Sequence, residues 1–454
     1  MANRRRVKLS KREIGIKLLL TFVVAILLGV SMIFAGKIEA MLGIGKSESS
    51  GKYIDSKILS TYDMRLHYLD VGQADSTFIE LPDGQTMLID AGTKSGGATV
   101  VEYIKALGYK QITYFVLTHC DNDHVGGAVN VFTAFDVVNI YRPFQIAGKD
   151  TSGSFVCDAS EDLATAYTYL KSKSKYASLV SEITMVTSDV YVDTIRAVYA
   201  ETYFTSSNPK TPSNVFVNYD GIVLEGESSS FRAEFFAPQL ASGLDSNDRD
   251  LSNIAPNCRT NGKVTKGYGQ DATGKNAQSP LIMLEYKSQK FVFTGDMYED
   301  AEQDLFNTGG LSASDKARLS NVTVYQAGHH GARNSNTQDL LNMLSPQFTV
   351  VSCGANNSFG HPHQEFLDRL LATNPQNTDY LMRTDQAGTI MFGVNSDGNV
   401  GYYCGVEINN PTFEVAWWQI AIGIFIVFTV AIWGIRIKSK QTKKAYTASA
   451  NRKR

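Results

Sequence analysis

Six of the chain's seven histidines fall in three tight groups: His119 with His124, His329 with His330, and His361 with His363. The densest run is His119-Cys120-Asp121-Asn122-Asp123-His124, followed by Gly126-Gly127. It comes directly after residues 112–117, a short apolar, β-branched and aromatic stretch that reads as a buried strand. Four potential ligands in six residues at the end of a strand leave little room for an incidental acidic loop. In extended backbone, residues two apart face the same way, so His119 and Asp121 can grip one ion. Asp123 and His124 can then reach a second. Imidazole and carboxylate are ligands that bind zinc and keep positions open for water.

The other groups gain meaning from this company. Phe293-Thr294-Gly295-Asp296 is a strand ending in a glycine turn that offers one carboxylate. Most such aspartates cap turns, but here Asp296 can bridge two ions. In Gly328-His329-His330-Gly331 the glycines let the backbone turn sharply. One histidine is read as a ligand, and the other as its support or as a substrate contact. Gly360-His361-Pro362-His363 again follows a strand. Asn334, Ser335, Asn356 and Asn357 lie near these groups and offer donors for substrate oxygens, although each taken singly is an ordinary polar loop residue.

The order of patterns predicts a layered α/β domain over residues 62–405. Residues 77–81 and 86–89 flank Pro82-Asp83-Gly84 as a hairpin. A helix is expected from Val100 to a stop at Gly108, with further helices around 161–171 and 190–203. Residues 241–275 are rich in Asp, Asn, Ser and Gly and read as a long surface insertion. Strands return at 280–286, 291–293, 322–325, 348–351 and 389–392. Five cysteines, odd in number and without C-x-x-C spacing, exclude a disulfide scaffold or a zinc ribbon. They leave a Cys157–Cys258 bridge open in an oxidising space.

The net charge of −2 over 454 residues hides a strong asymmetry. Residues 1–36 carry seven Lys/Arg and one acid, and residues 415–454 carry eight Lys/Arg and no acid. Residues 37–414 hold 28 basic and 44 acidic side chains, a net of −16. Residues 18–36 and 415–435 are free of charge, and each is long enough to cross a bilayer as a helix. Basic tails at 1–17 and 436–454 flank them, which places both tails in the cytoplasm and the middle outside. Residues 37–61 read as a linker. The rival reading of the first span is a cleaved signal peptide. Lys37-Ile38-Glu39-Ala40 makes a poor cleavage site, which favours an uncleaved anchor.

The succession Asp70-Val71-Gly72-Gln73-Ala74-Asp75-Ser76, Leu88-Ile89-Asp90-Ala91-Gly92, the run from His119 to His124, the three later groups and Arg383-Thr384-Asp385-Gln386-Ala387-Gly388-Thr389 resembles the ComEC-type branch of the metallo-β-lactamase superfamily. That branch includes the hydrolase domain of DNA-uptake competence proteins, and phosphorylcholine esterases of cell walls are similar. The resemblance covers about residues 62–400. It implies an αββα sandwich, here flanked by two transmembrane helices, and two zinc ions, with manganese as the alternative. It assigns His119, Asp121 and one of His329/His330, with His330 preferred, to one ion. Asp123, His124 and His361 go to the other, and Asp296 bridges. Asp123 and Asp296 would carry the catalysis. Asp90 would stand behind the ligands, and Asn334, Asn357 and His363 would support them or meet substrate.

Departures from the branch are Ala74 and Cys120 where relatives often have Gly and Pro, Ala332-Arg333 in place of Ser-Lys, and the extra segment 241–275. The multi-span channel of a full competence protein is missing from the two spans seen here. The expected activity is an extracytoplasmic phosphodiesterase acting on nucleic acid or phosphorylated envelope polymers. The charge of −16 weighs against broad nucleic-acid affinity, which needs clustered Lys/Arg. The alternatives are hydrolysis of a carboxylic ester, amide or lactone, and a non-catalytic surface module of a DNA-uptake system. Reporter fusions at residues 1 and 454 are expected to read inside, and one at about residue 230 outside. A cytoplasmic signal from the middle fusion would overturn the charge argument.

Overall fold

The structure, a computed structural model, describes residues 59–151, 153–202, 213–373 and 380–406. The apolar spans at 18–36 and 415–435, both basic tails and most of the 37–61 linker lie outside the described residues. Among the described residues no helix is long and apolar enough to cross a membrane.

The early strands are β1 (Met64–Tyr68), β2 (Thr77–Glu80), β3 (Thr86–Ile89), β4 (Gln111–Val116) and β5 (Asp136–Arg142). Short strands β6 (Ile146–Thr151), β7 (Ser154–Cys157), β8 (Met185–Val186) and β9 (Asn214–Val217) follow. Then come β10 (Val223–Glu225), β11 (Arg232–Phe235), β12 (Thr260–Asn261), β13 (Ile282–Tyr286) and β14 (Gln289–Phe293). The last are β15 (Val324–Gln326), β16 (Phe348–Val351), β17 (Leu381–Arg383), β18 (Ile390–Val394) and β19 (Val400–Cys404). One sheet runs β12-β9-β5-β4-β3-β2-β1-β18-β19, a second runs β10-β11-β13-β14-β15-β16-β17, and β7-β6-β8 form a small third.

Local chemistry accounts for the pairing. Between β2 and β3 the Leu81 and Gln85 backbones close the turn, and the Asp83 carboxylate accepts the Gln85 amide at 3.1 Å. The strands pair antiparallel, Thr77 opposite Ile89. Leu66, Tyr68, Ile79, Met87 and Ile89 of the first sheet share one buried cluster with Leu284, Phe291, Phe293, Val324 and Val350 of the second. The sheets therefore pack face to face, and each such side chain contributes about 1.5–3 kcal/mol on burial.

Helices cover both outer faces. Helix Gly96–Ala106 buries Val100 and Ile104, and helix Ala128–Ala134 lays Phe132 5.3 Å from Phe115 of β4. On the second sheet, Leu340, Leu341 and Leu344 of helix Gln338–Leu344 and Phe366 of helix Gln364–Thr373 pack against Val292, Tyr325 and Val351. The layering is helix–sheet–sheet–helix. β3, β4 and β5 run parallel in one sheet, and β14, β15, β16 and β17 run parallel in the other. The loops leaving the carboxyl ends of β1, β3 and β4 and of β14, β15 and β16 meet at one edge, where α/β sheets build sites.

One expectation needs correction. Residues 241–275 are not a surface insertion. Ala241, Leu244, Leu251, Ile254, Ala255 and Val264 are buried in a core shared with Phe144, Ile146, Leu163 and Val217, and β12 adds to the edge of the first sheet. The polar residues there serve turns and caps: Asp250 and Asp271 cap helices, and Asp248 accepts bonds from Tyr169 and Tyr176. Short strands β6 to β11 stand before, between and after the helices expected around 161–171 and 190–203. Cys157 and Cys258 are free thiols, each half-buried.

The guanidinium of Arg142, at the end of β5, is fully buried. It bonds Glu161 at 3.1 and 3.3 Å, the hydroxyls of Tyr199 and Tyr191 at 3.1 and 3.0 Å, and the carbonyl of Gln145. Breaking a buried pair strands a charge. Glu161→Ala is expected to cost about 3–5 kcal/mol of stability, read by urea unfolding of the purified protein. A loss under about 1 kcal/mol would show that the two tyrosines suffice to hold the guanidinium.

Candidate metal centre

The cleft begins where β4 ends. The Asp90 carboxylate, just past β3, accepts the Thr118 amide at 2.9 Å and the Thr118 hydroxyl at 2.6 Å, which pins the loop that carries His119. Asp121 is extended (φ −75°, ψ 149°), and residues Asn122–Val125 then make one helical turn. Asp121 stands at the start of that turn without a side-chain capping bond, so its carboxylate stays available. The two glycines after His124 are needed for contact. A Cβ on Gly127 would meet the Ala91 carbonyl oxygen at 2.1 Å, which lets the turn press against the Asp90 loop.

Each imidazole is oriented from behind. His124 Nδ1 lies 2.7 Å from Asp90 Oδ2, so it donates there and turns Nε2 to the cleft. His119 Nδ1 faces the hydroxyls of Thr118 and Ser279 at 3.1 and 3.3 Å. His330 Nδ1 donates to the Ser352 carbonyl at 2.8 Å. His329 and His330 both have positive φ, 51° and 54°, a left-handed conformation uncommon for residues other than glycine. The kink splits the pair, and their ring planes are 57° apart.

Asp296 sits at the centre. Its Oδ1 is 3.1 Å from His124 Nε2, and its Oδ2 is 3.8 Å from His119 Nε2, 3.6 Å from His329 Nε2 and 4.0 Å from His330 Nε2. His119 Nε2 is also 3.8 Å from Asp121, and His330 Nε2 is 3.3 Å from Asp123. The structure thus regroups the residues. His330 stands on the Asp123–His124 side rather than with His119 and Asp121. His361 pairs with no carboxylate among the described residues. It stacks on the outer face of His330 at 5.8 Å, with Nδ1 3.2 Å from the Gln73 amide. The reason is the tight turn at 328–331, which brings His330 across the cleft and leaves His361 one ring further out.

The remaining candidates act on backbone. Asn357 donates to the carbonyls of Gly354 and His361 and accepts the His361 amide at 2.9 Å, so its amide is spent on that loop. His363 Nδ1 accepts the Arg333 amide at 3.2 Å. Asn334 accepts the Glu299 amide through its main-chain carbonyl at 3.0 Å, and its side chain bonds the Tyr298 hydroxyl. Asp75, Asn276 and Tyr298 were given no role from sequence. Asn276 reaches Asp296 at 3.4 Å or, with its amide turned, Asp121 at 3.2 Å. Tyr298 packs on His329 at 5.0 Å. For Asp75 the signal was its place in a turn just past a strand, the same position the other site residues occupy.

Electrostatics and hydrogen bonding both point to a cation. Asp75, Asp90, Asp121, Asp123 and Asp296 gather here, and no Lys or Arg forms an ion pair with any of them among the described residues. Burial would raise the Asp296 carboxyl, but His124, His329 and His330 hold it well below the usual range. Burial would lower the His124 imidazole, but Asp296 and Asp90 hold it well above. Burial and His330 push His361 down to about 4. His119 Nε2, His124 Nε2, His330 Nε2 and Asp296 Oδ1 are buried without a hydrogen bond, the 3.1 Å contact between His124 and Asp296 lacking the alignment. An unmade buried bond costs about 1–3 kcal/mol. Four such atoms converging, all of ligand type, fit a divalent cation. Asp90→Asn is expected to lower zinc affinity about 10- to 100-fold, measured by chelator competition. Unchanged affinity would mean that Thr118 and His124 hold their places without its charge.

Residues 69–148 match the family model of the metallo-beta-lactamase superfamily. ComE operon protein 3 of Bacillus subtilis is 22% identical over 341 residues, 71% of this chain and 32% of the relative. Competence protein ComA of Neisseria gonorrhoeae is 29% identical over 27% of this chain and 16% of its own. Recombination protein 2 of Haemophilus influenzae is 21% identical over 69% of this chain and 27% of its own. The chain spans about a third or less of the length of these relatives. Among solved structures, the metallo-beta-lactamase fold protein YhfI from Bacillus subtilis aligns over 75% of this chain and 99% of its own, at 10% identity and TM-score 0.34. A diphosphatase from the PhnP family aligns over 70% and 94%, at 10% identity and TM-score 0.32. The chain carries a metallo-beta-lactamase superfamily domain and is related in sequence to the ComEC-type competence proteins.

Proposed function

We propose that this chain is a membrane-anchored, extracytoplasmic hydrolase that holds two divalent cations, zinc or manganese, and cleaves phosphodiesters. The observation that carries the reading is the convergence of three unpaired Nε2 atoms and Asp296 Oδ1 on one cleft that Asp121 and Asp123 also face. His119, Asp121 and Asp296 would hold one ion. Asp123, His124, His330 and Asp296 would hold the other. When bound, such ions supply Lewis acidity, making a water acidic enough to attack near neutral pH and offsetting charge on a phosphoryl oxygen.

The chain's own residues supply order. Asp90, Ser279 and the Ser352 carbonyl fix the imidazole orientations. Asp296 is placed between the two halves of the cleft, so its charge serves both. His329 stands at the open side beside Tyr298, where its ring can contact a substrate oxygen. Arg333, exposed and paired with Glu365 at 3.1 Å, offers a cation to an anionic phosphate group near the mouth.

The relatives' names speak of competence and recombination, which favours a nucleic acid over an envelope polymer as substrate. The net charge of −16 over residues 37–414 limits that to local recognition rather than a broad basic surface. The second reading is hydrolysis of a carboxylic ester, amide or lactone, since the same cleft can polarise a carbonyl.

After zinc reconstitution the purified protein is expected to hold about two ions per chain and to cleave bis-p-nitrophenyl phosphate in preference to p-nitrophenyl acetate. Asp296→Asn is expected to cut turnover by at least the roughly 10- to 100-fold typical of the ligands' outer partners. His67→Ala, which loses buried bonds to Tyr103 at 2.7 Å and Glu80 at 2.9 Å, is expected to lower stability more than turnover. A preference for the acetate moves the second reading ahead. Bound metal with no turnover on either ester favours a binding module.

A further inference from the structure

Asp75 has no part in the chemistry above, yet it lies directly behind two of the imidazoles. Its carboxylate is 4.0 Å from His124 Nδ1 and 3.9 Å from His330 Nδ1. These distances are too long for hydrogen bonds, and both nitrogens have nearer partners in Asp90 and the Ser352 carbonyl. Asp75, His124, Asp296 and His330 place ligand-type atoms within 4.8 Å of one another, all four residues buried. The ring atoms that Asp75 approaches are the Nδ1 nitrogens, already bonded elsewhere, while the two Nε2 atoms turn to Asp296 and Asp123. It belongs one layer behind them.

The carboxylate is held in that layer. Gln326 Nε2 donates to it at 3.0 Å, and Gln326 is itself fixed by Thr77 at 3.0 Å and Ser352 at 3.2 Å. The Asp75 amide donates to the Asp123 carbonyl at 3.0 Å, and its carbonyl accepts the Gly92 amide at 2.8 Å, so the residue is tied to the loop that bears His124. A buried carboxyl stays ionised only with positive charge nearby. Burial raises the Asp75 carboxyl, and the His330 and His124 rings lower it. Gln326 supplies a dipole and no charge, so the balancing charge comes through the two rings.

We infer that Asp75 is a positioning residue whose negative charge strengthens the hold of His124 and His330 on the cation they share with Asp123, and leaves the His119–Asp121 side alone. This rests on the two-cation reading. It makes the two ions unequal: one is backed by Asp75 and Asp90 together, and the other by hydroxyls.

The test is zinc competition against a chromophoric chelator on the full chain, with zinc-free unfolding temperature as a second readout. Asp75→Asn keeps an acceptor for Gln326 and removes the charge. One ion is expected to bind as in the wild type and the other about 10- to 100-fold more weakly, with Asp75→Glu recovering part of the loss. A purely structural Asp75 would instead lower the unfolding temperature of the zinc-free protein and leave both affinities untouched, which overturns the inference. Equal weakening of both ions overturns it as well. Should Asp75→Asn not fold, Gln326→Met takes its place. It frees the carboxylate to drift from the rings, the same ion is expected to weaken by a smaller factor, and unchanged affinity overturns the inference. Wild-type protein that binds no zinc sinks the two-cation site and the inference together, whereas two ions in wild type and the same two in Asp75→Asn sink the inference alone.

Discussion

A carboxylate withdrawn from water must find positive charge, and the buried Asp75, Asp90 and Asp296 meet the partly exposed Asp121 and Asp123 at one edge of this molecule, with no lysine or arginine paired to any among the described residues. That requirement shapes what surrounds it. Asp90 takes three hydrogen bonds, two from Thr118 and one from His124, and so converts its own charge into the placement of the next loop. Asp296 is held well below the usual carboxyl range by the imidazoles of His124, His329 and His330. A cation would relieve the crowding among the carboxylates and satisfy the unpaired ring nitrogens at the same time.

The scaffold meets this demand through parallel strands whose carboxyl ends share an edge. Strand ends are stiff on one side and free to turn on the other, which suits side chains that must be held to a fraction of an ångström. Gly127 and the 328–331 turn show two ways of reaching the cleft. The first removes a side chain so that loops touch. The second bends the backbone into an unfavourable region to split two adjacent rings.

Much of this was legible from residues alone because it is local. The strand before His119, the hairpin at 77–89 and the paired histidines are short-range patterns, and each has a matching element. What sequence could not supply was distance across the fold. Nothing in Gly328-His329-His330-Gly331 says on which side of Asp296 the second ring will fall, since that depends on a positive φ and on the Ser352 carbonyl from the next strand. His361 was assigned to an ion by the resemblance and stacks against His330 in space. The segment 241–275 misled through composition, because its acids and amides are spent on turns and caps while scattered apolar residues between them make the core.

The two walls of the cleft come from opposite ends of a long excursion of chain: His119 and Ser279, in contact through a hydroxyl, are 160 residues apart. An ion held by His119 and Asp296 would tie the first sheet to the second, as a rivet joins two plates made separately. Closing so large a loop is entropically slow, although its cost grows gently with length. The rivet can be set when both plates are formed and lie in register. Metal uptake would then report completed assembly of the whole domain. A chain that had folded one half alone would present loose aspartates and histidines with little power to retain an ion, and so would carry no stray reactivity while it was being made.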